Sequence, residues 1–326
     1  MTDFHGDGAL AAKLRTVLGS RVGAAAVATV CRGESALASV GAPLEANFEI
    51  GSVSKGITGL LYADALGRGD LIPASPLGAL LALGECEAAG VTVGSLSTHS
   101  SGLPRLPRSA GQWRTTLSLW RHGANPYGES LAQLLVQARA VKLSRPRPRY
   151  SNLGYQLLGH AVAAAAGATY PDLLRSRLAG PLGLDSFYAP AGPDQLRPGA
   201  LIGSKRSGKP AEPWTGEALA PAGGLRASVG DMARLVAALL DGSAPGSSAL
   251  DPAARFGPGA WIGAGWMIME IRGHRLTWHN GETGGFRTWM GFDRSRRIGV
   301  IAMSASSLPV DGLGIRMLQE LAVTGR

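Results

Sequence analysis

The chain has 326 residues, of which 45% are hydrophobic and 17% are charged, and its formal net charge is +9 at pH 7. This length and composition allow a large buried core, in one large domain or two intertwined ones. Most of the basic excess comes from scattered arginines, and the one dense cluster, 145–149, is interrupted by prolines. A nucleic-acid-binding protein needs a continuous basic face with aromatic or helical partners. The charge instead favours an anionic substrate, or a site that steers anions.

Cysteine usage and the N-terminus bear on cofactors and location. The two cysteines, Cys31 and Cys86, form no Cys-x-x-Cys motif and no Cys/His cluster with metal-ligand spacing. The sequence therefore predicts no metal and no cofactor. The N-terminal residues lack the basic and apolar regions of a signal peptide, and the apolar run 22–30 is too short to span a bilayer. These features predict a cytoplasmic protein without a membrane partner.

The first part of the chain alternates between helix and strand patterns. Apolar residues at helical spacing predict a helix over 8–19 and another that begins near Ser52 and ends at glycines 67 and 69. Runs of β-branched and apolar residues, broken by Arg32-Gly33, predict a hairpin and a further short strand. The predicted strands are 21–31, 34–40 and 48–50.

The middle and the end of the chain differ in character. Residues 70–220 are rich in proline and glycine and carry short helical patterns with little strand pattern. A helix over 231–240, capped by Ser228, and a closing helix over 312–322 are predicted after that segment. The strands predicted between these two helices are 262–271, 275–279, 286–292 and 298–304.

Strands are thus predicted at both ends of the chain and helices in between. This order predicts an α/β (α+β) fold, in which an antiparallel sheet is built from both termini and flanked by helices, with an inserted, mostly helical domain. The predicted boundaries are 1–70 and 222–326 for the sheet domain and 71–221 for the insertion. A functional cleft is expected between the two.

A candidate nucleophile lies at the start of the second predicted helix. Ser52 and Lys55 are three residues apart, so they share a face of that helix. A serine hydroxyl beside a lysine amine is the arrangement of an activated nucleophile. The structural alternative is that Ser52 caps the helix and Lys55 is solvated. Against it, a lysine in the first turn opposes the helix dipole, and only Lys55 among five lysines has a serine three residues before it.

Two further motifs carry residue types that assist such a nucleophile. Tyr150 and Asn152 lie in a loop before a predicted helix, and His279-Asn280-Gly281 lies at the end of a predicted strand. Each also has a structural interpretation. Tyr150 fits a core aromatic and Asn152 an N-cap, while Asn280-Gly281 fits a hairpin turn.

Taken together, Ser52-x-x-Lys55, Tyr150-x-Asn152 and His279-x-Gly281 resemble the three motifs of the serine β-lactamase and penicillin-binding-protein superfamily. The tyrosine is typical of class C β-lactamases, D-alanyl-D-alanine carboxypeptidases and their esterase relatives. The stretches 98–104, 150–155 and 221–228 agree with this, so the resemblance covers about residues 20–320. It implies a β-lactamase/transpeptidase-like fold.

The third motif departs from the usual pattern of this superfamily. β-Lactamases and peptidoglycan peptidases have Lys-Thr-Gly on this strand, and that tripeptide is absent from the sequence. The His279-x-Gly281 form is similar to that of D-aminopeptidases and family VIII esterases. The resemblance therefore implies a substrate other than a β-lactam.

The same resemblance implies a role for each motif residue in two successive acyl transfers. Ser52 is the nucleophile, and Tyr150 is the proton shuttle beside Lys55; either of these two is a candidate for the acylation base. Asn152 is expected to hydrogen-bond Lys55 or a substrate amide. His279 is expected to supply a hydrogen bond and a pH-dependent charge.

The resemblance also implies an oxyanion hole made of the backbone N–H groups of Ser52 and Glu282. Gly281 is expected to keep the strand clear for the substrate. The acyl pocket is expected to use aromatic residues, although core packing is the expectation for most of the candidates. These candidates are Trp113, Trp120, Trp214, Trp266 and Trp289.

The predicted function is that of a serine hydrolase that forms an acyl-enzyme on an ester or peptide-like amide, as an esterase or peptidase/amidase rather than a β-lactamase. An acyltransferase would use the same residues and differ only in the acceptor. An inactive ligand-binding scaffold is a third hypothesis, but it has no need of all five motif side chains. The expected partner is a small molecule or short peptide and not a nucleic acid, and the sequence makes no prediction of oligomeric state.

Overall fold

The computed structural model describes residues 3–19, 23–106, 125, 128–271 and 273–324. A nine-stranded antiparallel sheet, built from both ends of the chain, is its largest element. The strands, in chain order, are β1 (Phe4–Gly6), β2 (Ala25–Cys31), β3 (Glu34–Val40), β4 (Phe48–Glu49), β5 (Arg226–Ala227), β6 (Ala254–Gly257), β7 (Ala260–Ile262), β8 (Met267–Ile271), β9 (His274–Glu282), β10 (Arg287–Asp293) and β11 (Ile298–Ser304). The large sheet has the order β1-β3-β2-β11-β10-β9-β8-β7-β6, and β4 and β5 pair separately.

The helices of the described residues cover the sheet and fill the middle of the chain. They are α1 (Gly8–Leu18), α2 (Val53–Arg68), α3 (Leu77–Leu80), α4 (Val93–Ser97), α5 (Leu131–Arg139), α6 (Asn152–Ala165), α7 (Tyr170–Leu174), α8 (Gly180–Leu182), α9 (Ala220–Gly223), α10 (Val229–Asp241) and α11 (Asp311–Thr324). A π-helical turn, Arg175–Ala179, joins α7 to α8.

The sheet lies between two layers of helices. Alternate residues of β2 contact opposite sides: Ala26 and Ala28 belong to one core, and Ala25 and Val27 to the other. Helices α1 and α11 cover the second side, and α2 and α10 pack on the first. The prediction of an antiparallel sheet from both termini, flanked by helices, is confirmed. The domain boundaries at 70 and 222 remain a prediction.

Several predicted elements differ in detail from those observed. The predicted strand 262–271 is interrupted between β7 and β8, because Gly265 adopts a left-handed φ of +76°. The predicted strand 48–50 is shorter and pairs with β5, outside the main sheet. The beginning of the predicted strand 21–31 lies partly outside the described residues, and β2 starts at Ala25.

The most important difference concerns β9, which continues beyond the predicted end at residue 279 to Glu282. Asn280 and Gly281 pair with Trp289 and Thr288 of β10. The interpretation of Asn280-Gly281 as a hairpin turn is therefore wrong. The third motif is part of a strand, with its side chains alternating across the sheet.

Candidate active site

Ser52 lies where β4 turns into α2. Gly51 makes this turn with a φ of +51°, a conformation that glycine adopts without steric cost. Ser52 occupies the N-cap position, but its dihedral angles are helical (φ −65°, ψ −7°) and its side chain makes no capping hydrogen bond. The structural alternative, a serine used for capping, is wrong. The hydroxyl is instead directed towards the next turn of α2.

Lys55 is fully buried one turn along α2. Its Nζ lies 3.1 Å from Ser52 Oγ and donates a hydrogen bond to the Ala222 carbonyl oxygen at 2.5 Å. Burial, and secondarily the charge of Arg105, holds the pKa of this amine well below the 10.5 of an ordinary lysine. The alternative of a solvated lysine is wrong, and the amine is suited to accept a proton.

Tyr150 lies beside this amine and is half-buried rather than part of the core. The Nζ of Lys55 is 4.9 Å from the centroid of the Tyr150 ring. The His279 ring centroid lies 6.3 Å from the same ring, and that of His99 lies 4.6 Å away. The structure thus brings the first, second and third motifs together around one tyrosine.

His279 is only 3% exposed. Its Nδ1 lies 2.6 Å from the carbonyl oxygen of Asn280, so this nitrogen carries the proton and Nε2 keeps a lone pair. Burial, together with the charge of Lys55, lowers the pKa of His279 to about 3. The expected pH-dependent charge of His279 is therefore wrong, since the imidazole is neutral at physiological pH.

Two glycines allow β9 to approach the turn before α2. A Cβ atom on Gly281 would lie 2.0 Å from the Ile50 carbonyl oxygen and 3.1 Å from Ser52 N. A Cβ atom on Gly51 would lie 2.6 Å from Glu282 N. The close backbone approach gives Gly281 a packing role in addition to the expected one in substrate access. The Glu282 side chain is 70% exposed and pairs with Arg287, so only its backbone faces this turn.

Ser52 and Asn152 line one cleft of about 520 Å³. Asn152 is not the N-cap of α6, because Ser151 accepts the capping hydrogen bond from Gly154 N–H at 2.9 Å. The rest of the cleft lining includes Glu282, one tryptophan (Trp214) and three cations, which are Arg105, Lys205 and Arg206. Trp266 and Trp289 are core residues as expected, whereas Trp113 and Trp120 lie outside the described residues.

Sequence reasoning assigned no role to His99, which is buried at 2% exposure between two tyrosine rings. Its ring centroid is 4.6 Å from that of Tyr150 and 4.7 Å from that of Tyr155. Its Nδ1 accepts a hydrogen bond from Ser151 N–H at 3.2 Å. The only signal for it was its place in the stretch 98–104. Arg105, Lys205 and Arg206 were missed as well, because no motif marks them.

Fold and site together define a class: mixed α/β proteins with a Ser-x-x-Lys pair at the head of a buried helix and an antiparallel strand along one side. The family model described as Beta-lactamase matches residues 10–324. The chain therefore belongs to the beta-lactamase family, which is of serine hydrolase type. Among the described residues, no helix combines the length and hydrophobicity needed to cross a membrane.

Known proteins agree with this assignment. The chain is 27% identical over 237 residues to the D-alanyl-D-alanine-carboxypeptidase/endopeptidase AmpH of Escherichia coli K12, which covers 67% of this chain and 59% of that protein. The chain thus matches about three fifths of the length of that relative.

Two solved structures show the same fold. The octameric penicillin-binding protein homologue from Pyrococcus abyssi superposes with a TM-score of 0.83 at 22% identity, over 97% of this chain and 77% of that one. The β-lactamase/D-alanine carboxypeptidase from Pseudomonas syringae superposes with a TM-score of 0.81 at 19% identity, over 95% and 97%. The predicted β-lactamase/transpeptidase-like fold is confirmed.

Proposed function

We propose that this protein is a serine hydrolase that transfers an acyl group from an ester or peptide-like amide to Ser52 and then to water, as an esterase or peptidase/amidase. One observation carries the proposal. The amine of Lys55 is fully buried, its pKa is held well below the ordinary value, and its Nζ lies 3.1 Å from Ser52 Oγ. A serine hydroxyl needs such a base to attack a carbonyl carbon at neutral pH.

In acylation, the neutral amine of Lys55 is the base. Its lone pair takes the hydroxyl proton while one N–H stays bonded to the Ala222 carbonyl. As the bond from Ser52 Oγ to the substrate carbon forms, the carbonyl π pair moves onto oxygen. The backbone N–H groups of Ser52 and Glu282 then stabilise this oxyanion, and one such donor contributes about 3 kcal/mol.

Tyr150 then moves the proton. The centroid of its ring lies 4.9 Å from Lys55 Nζ, and we assign its hydroxyl the transfer of the proton from the Lys55 ammonium to the departing oxygen or nitrogen. In deacylation the same route runs in reverse and accepts a proton from the attacking water. The neutral His279 offers an Nε2 lone pair on this side, and Asn152, which lines the cleft, binds the substrate amide or Lys55.

The neutral state of His279 also supports a substrate other than a β-lactam. A Lys-Thr-Gly strand presents a cation at this position, which attracts the carboxylate of a β-lactam. His279 lies at the equivalent place in the motif with its pKa lowered to about 3. It therefore offers hydrogen bonding without charge.

Mass spectrometry of the denatured protein, after exposure for seconds to p-nitrophenyl esters of increasing acyl length, tests the nucleophile. We expect a mass increase of one acyl group that disappears in Ser52→Ala and persists in Ser54→Ala, the buried serine two residues later. No adduct with any acyl chain, or an adduct that survives Ser52→Ala, would contradict the assignment. Adding an amine or alcohol acceptor separates hydrolysis from acyl transfer.

A further inference from the structure

We propose that the cleft contains a subsite for a carboxylate on the acyl part of the substrate, formed by Lys205 and Arg206. The inference rests on the proposed function, because the assumed direction of the substrate follows from the roles of Ser52 and Tyr150.

The cleft has an excess of positive charge. Arg105, Lys205 and Arg206 all line it, and within the described ranges none of the three forms an ion pair or a hydrogen bond with a carboxylate. The residues outside those ranges contain no aspartate or glutamate. The one carboxylate that lines the cleft, Glu282, pairs with Arg287. An anionic group would therefore complete the charge balance of this surface.

Lys205 and Arg206 lie on a turn that is fixed to the sheet domain. We call residues 204–210 the cationic hairpin. The Lys205 N–H donates to the Lys209 carbonyl at 2.8 Å, which closes the turn. The Ser204 N–H donates to the Ala305 carbonyl at 3.1 Å, and the Ser307 N–H donates to the Ser204 carbonyl at 2.9 Å. Backbone bonds on both sides thus hold the hairpin against the segment that follows β11, as a preorganised subsite requires.

Strand β9 shows which part of the substrate meets the hairpin. Its His279 lies towards Tyr150, with ring centroids 6.3 Å apart, and Tyr150 protonates the leaving group. The other end of β9, at Glu282 and the following Thr283, lines the cleft together with the hairpin cations. A carbonyl group held by the oxyanion hole therefore directs its leaving group to Tyr150 and its acyl chain to the cationic hairpin.

This arrangement selects the chemistry of the acyl group. A carboxylate a few atoms from the scissile carbonyl, as in a half-ester or half-amide of glutaric acid, can reach the hairpin and pair with Lys205 or Arg206. An acyl group that carries a free ammonium there is repelled by the same cations. The subsite thus favours dicarboxylic half-esters and half-amides over amino-acyl substrates.

Matched esters with the same leaving group test the subsite. The probes are the p-nitrophenyl half-ester of glutaric acid and its methyl ester, which lacks only the charge. We expect wild-type protein to prefer the anionic ester by about tenfold in kcat/KM at 20 mM NaCl, with the ratio falling at 300 mM NaCl. In Lys205→Gln/Arg206→Gln the ratio falls about tenfold. Lys209→Gln, on the same turn but outside the cleft lining, keeps the wild-type ratio.

An equal rate for both esters in the wild type, or an unchanged ratio in the double variant, would overturn the subsite. Turnover of the neutral ester reports on acyl transfer itself, so failure of the proposed function appears as no turnover of either ester. In that case calorimetry with Ser52→Ala protein and glutaric half-anilide still decides. If the half-anilide binds more tightly than its methyl ester, and the difference disappears when Lys205 and Arg206 are also replaced by glutamine, the subsite is supported. Equal Kd values for the half-anilide and its methyl ester overturn it.

Discussion

Among the residues that the structure describes, Lys55 and Arg226 are fully buried cations, and only Arg226 has a carboxylate partner. Arg226 faces a carboxylate: its Nη1 lies 3.0 Å from Glu49 Oε1, and its Nη2 donates to the carbonyl oxygens of Asn47 and Leu201 at 3.0 and 2.6 Å. Lys55 Nζ hydrogen-bonds the Ser52 hydroxyl and the Ala222 carbonyl and lies against the Tyr150 ring, and no carboxylate of the described residues pairs with it. The paired cation keeps its charge, whereas burial without a counterion favours the neutral amine.

Glu49, the partner of Arg226, lies three residues before Ser52, and Lys55 lies three residues after it. Glu49 also accepts a hydrogen bond from Trp214 N–H at 2.9 Å, so the ion pair joins β4, β5 and the cleft wall. Burial raises the pKa of Glu49, and the attraction of Arg226 opposes that shift. The difference separates two uses of a buried cation: one holds the site together, and the other supplies a base.

The sharpest contrast comes from replacing each cation by methionine. Lys55→Met removes the base, and we expect kcat/KM to fall by about 10⁴-fold. Because the lost amine is neutral and uncompensated by any carboxylate, the free energy of unfolding changes by less than about 1 kcal/mol. Ester kinetics and urea denaturation measure the two quantities. Lys13→Met, at a half-exposed lysine, serves as the control. A loss of unfolding free energy in Lys55→Met large enough to explain its loss of activity would contradict the separate roles of the two buried cations.

Arg226→Met should have the opposite profile. It leaves the Glu49 carboxylate buried without its partner, and we expect a loss of about 3–5 kcal/mol in unfolding free energy. The double variant Glu49→Gln/Arg226→Met recovers much of that loss, because no unpaired charge remains. Arg294→Met breaks an exposed pair with Asp251 and is expected to cost far less. Equal losses in Arg226→Met and Arg294→Met would show that burial of the pair does not matter.

Tyr150→Phe separates the base from the proton relay. If Tyr150 protonates the leaving group, its loss lowers kcat/KM by about 10²-fold for an ethyl ester, and by less than about tenfold for a p-nitrophenyl ester, whose leaving group departs as the anion. Steady-state rates on esters with one acyl group and both leaving groups measure the difference. An equal and large loss on both would assign acylation to Tyr150 instead of Lys55.

His279 is the second base whose charge is suppressed at this site. The pKa of His279 is about 3 in the folded protein, against 6.5 for an ordinary histidine. Between these two pH values the unfolded chain therefore binds a proton at His279 and the folded protein does not. Stability is therefore lost as pH falls from about 7 towards 3. Between pH 7 and pH 5 we expect His279 alone to account for about 2 kcal/mol of that loss, a dependence absent from His279→Gln. Urea denaturation at both pH values measures it, and identical pH dependence in both proteins would contradict a neutral buried imidazole.

The sequence was sufficient where function depends on local spacing. A serine and a lysine three residues apart on a helix must share a face, and the observed distance between Oγ and Nζ follows from that. The runs of β-branched and apolar residues near both ends of the chain likewise predicted the sheet. The motifs around Tyr150 and His279 were found by their resemblance to a family, since spacing alone cannot bring residues so far apart together.

Features that depend on tertiary packing could not be predicted. The charge of His279 is suppressed by burial, which no local pattern reveals. The cationic hairpin reaches the cleft through backbone hydrogen bonds to a segment about one hundred residues later, at Ala305 and Ser307. Residues 262–271 were predicted as one strand because they are almost all apolar. Gly265, whose left-handed conformation interrupts this strand, is one of many glycines, and the sequence does not show which of them adopt a positive φ.

The protonation state of Lys55 is the most direct test of how Ser52 is activated. The chain has only five lysines, so carbon-13 labelling at lysine Cε gives five signals, and the signal lost in Lys55→Arg identifies Lys55. We predict that this signal titrates at a pH well below the 10.5 of an ordinary lysine. A midpoint at 10.5 or above would mean that the amine is charged at neutral pH and that Ser52 has no base in Lys55.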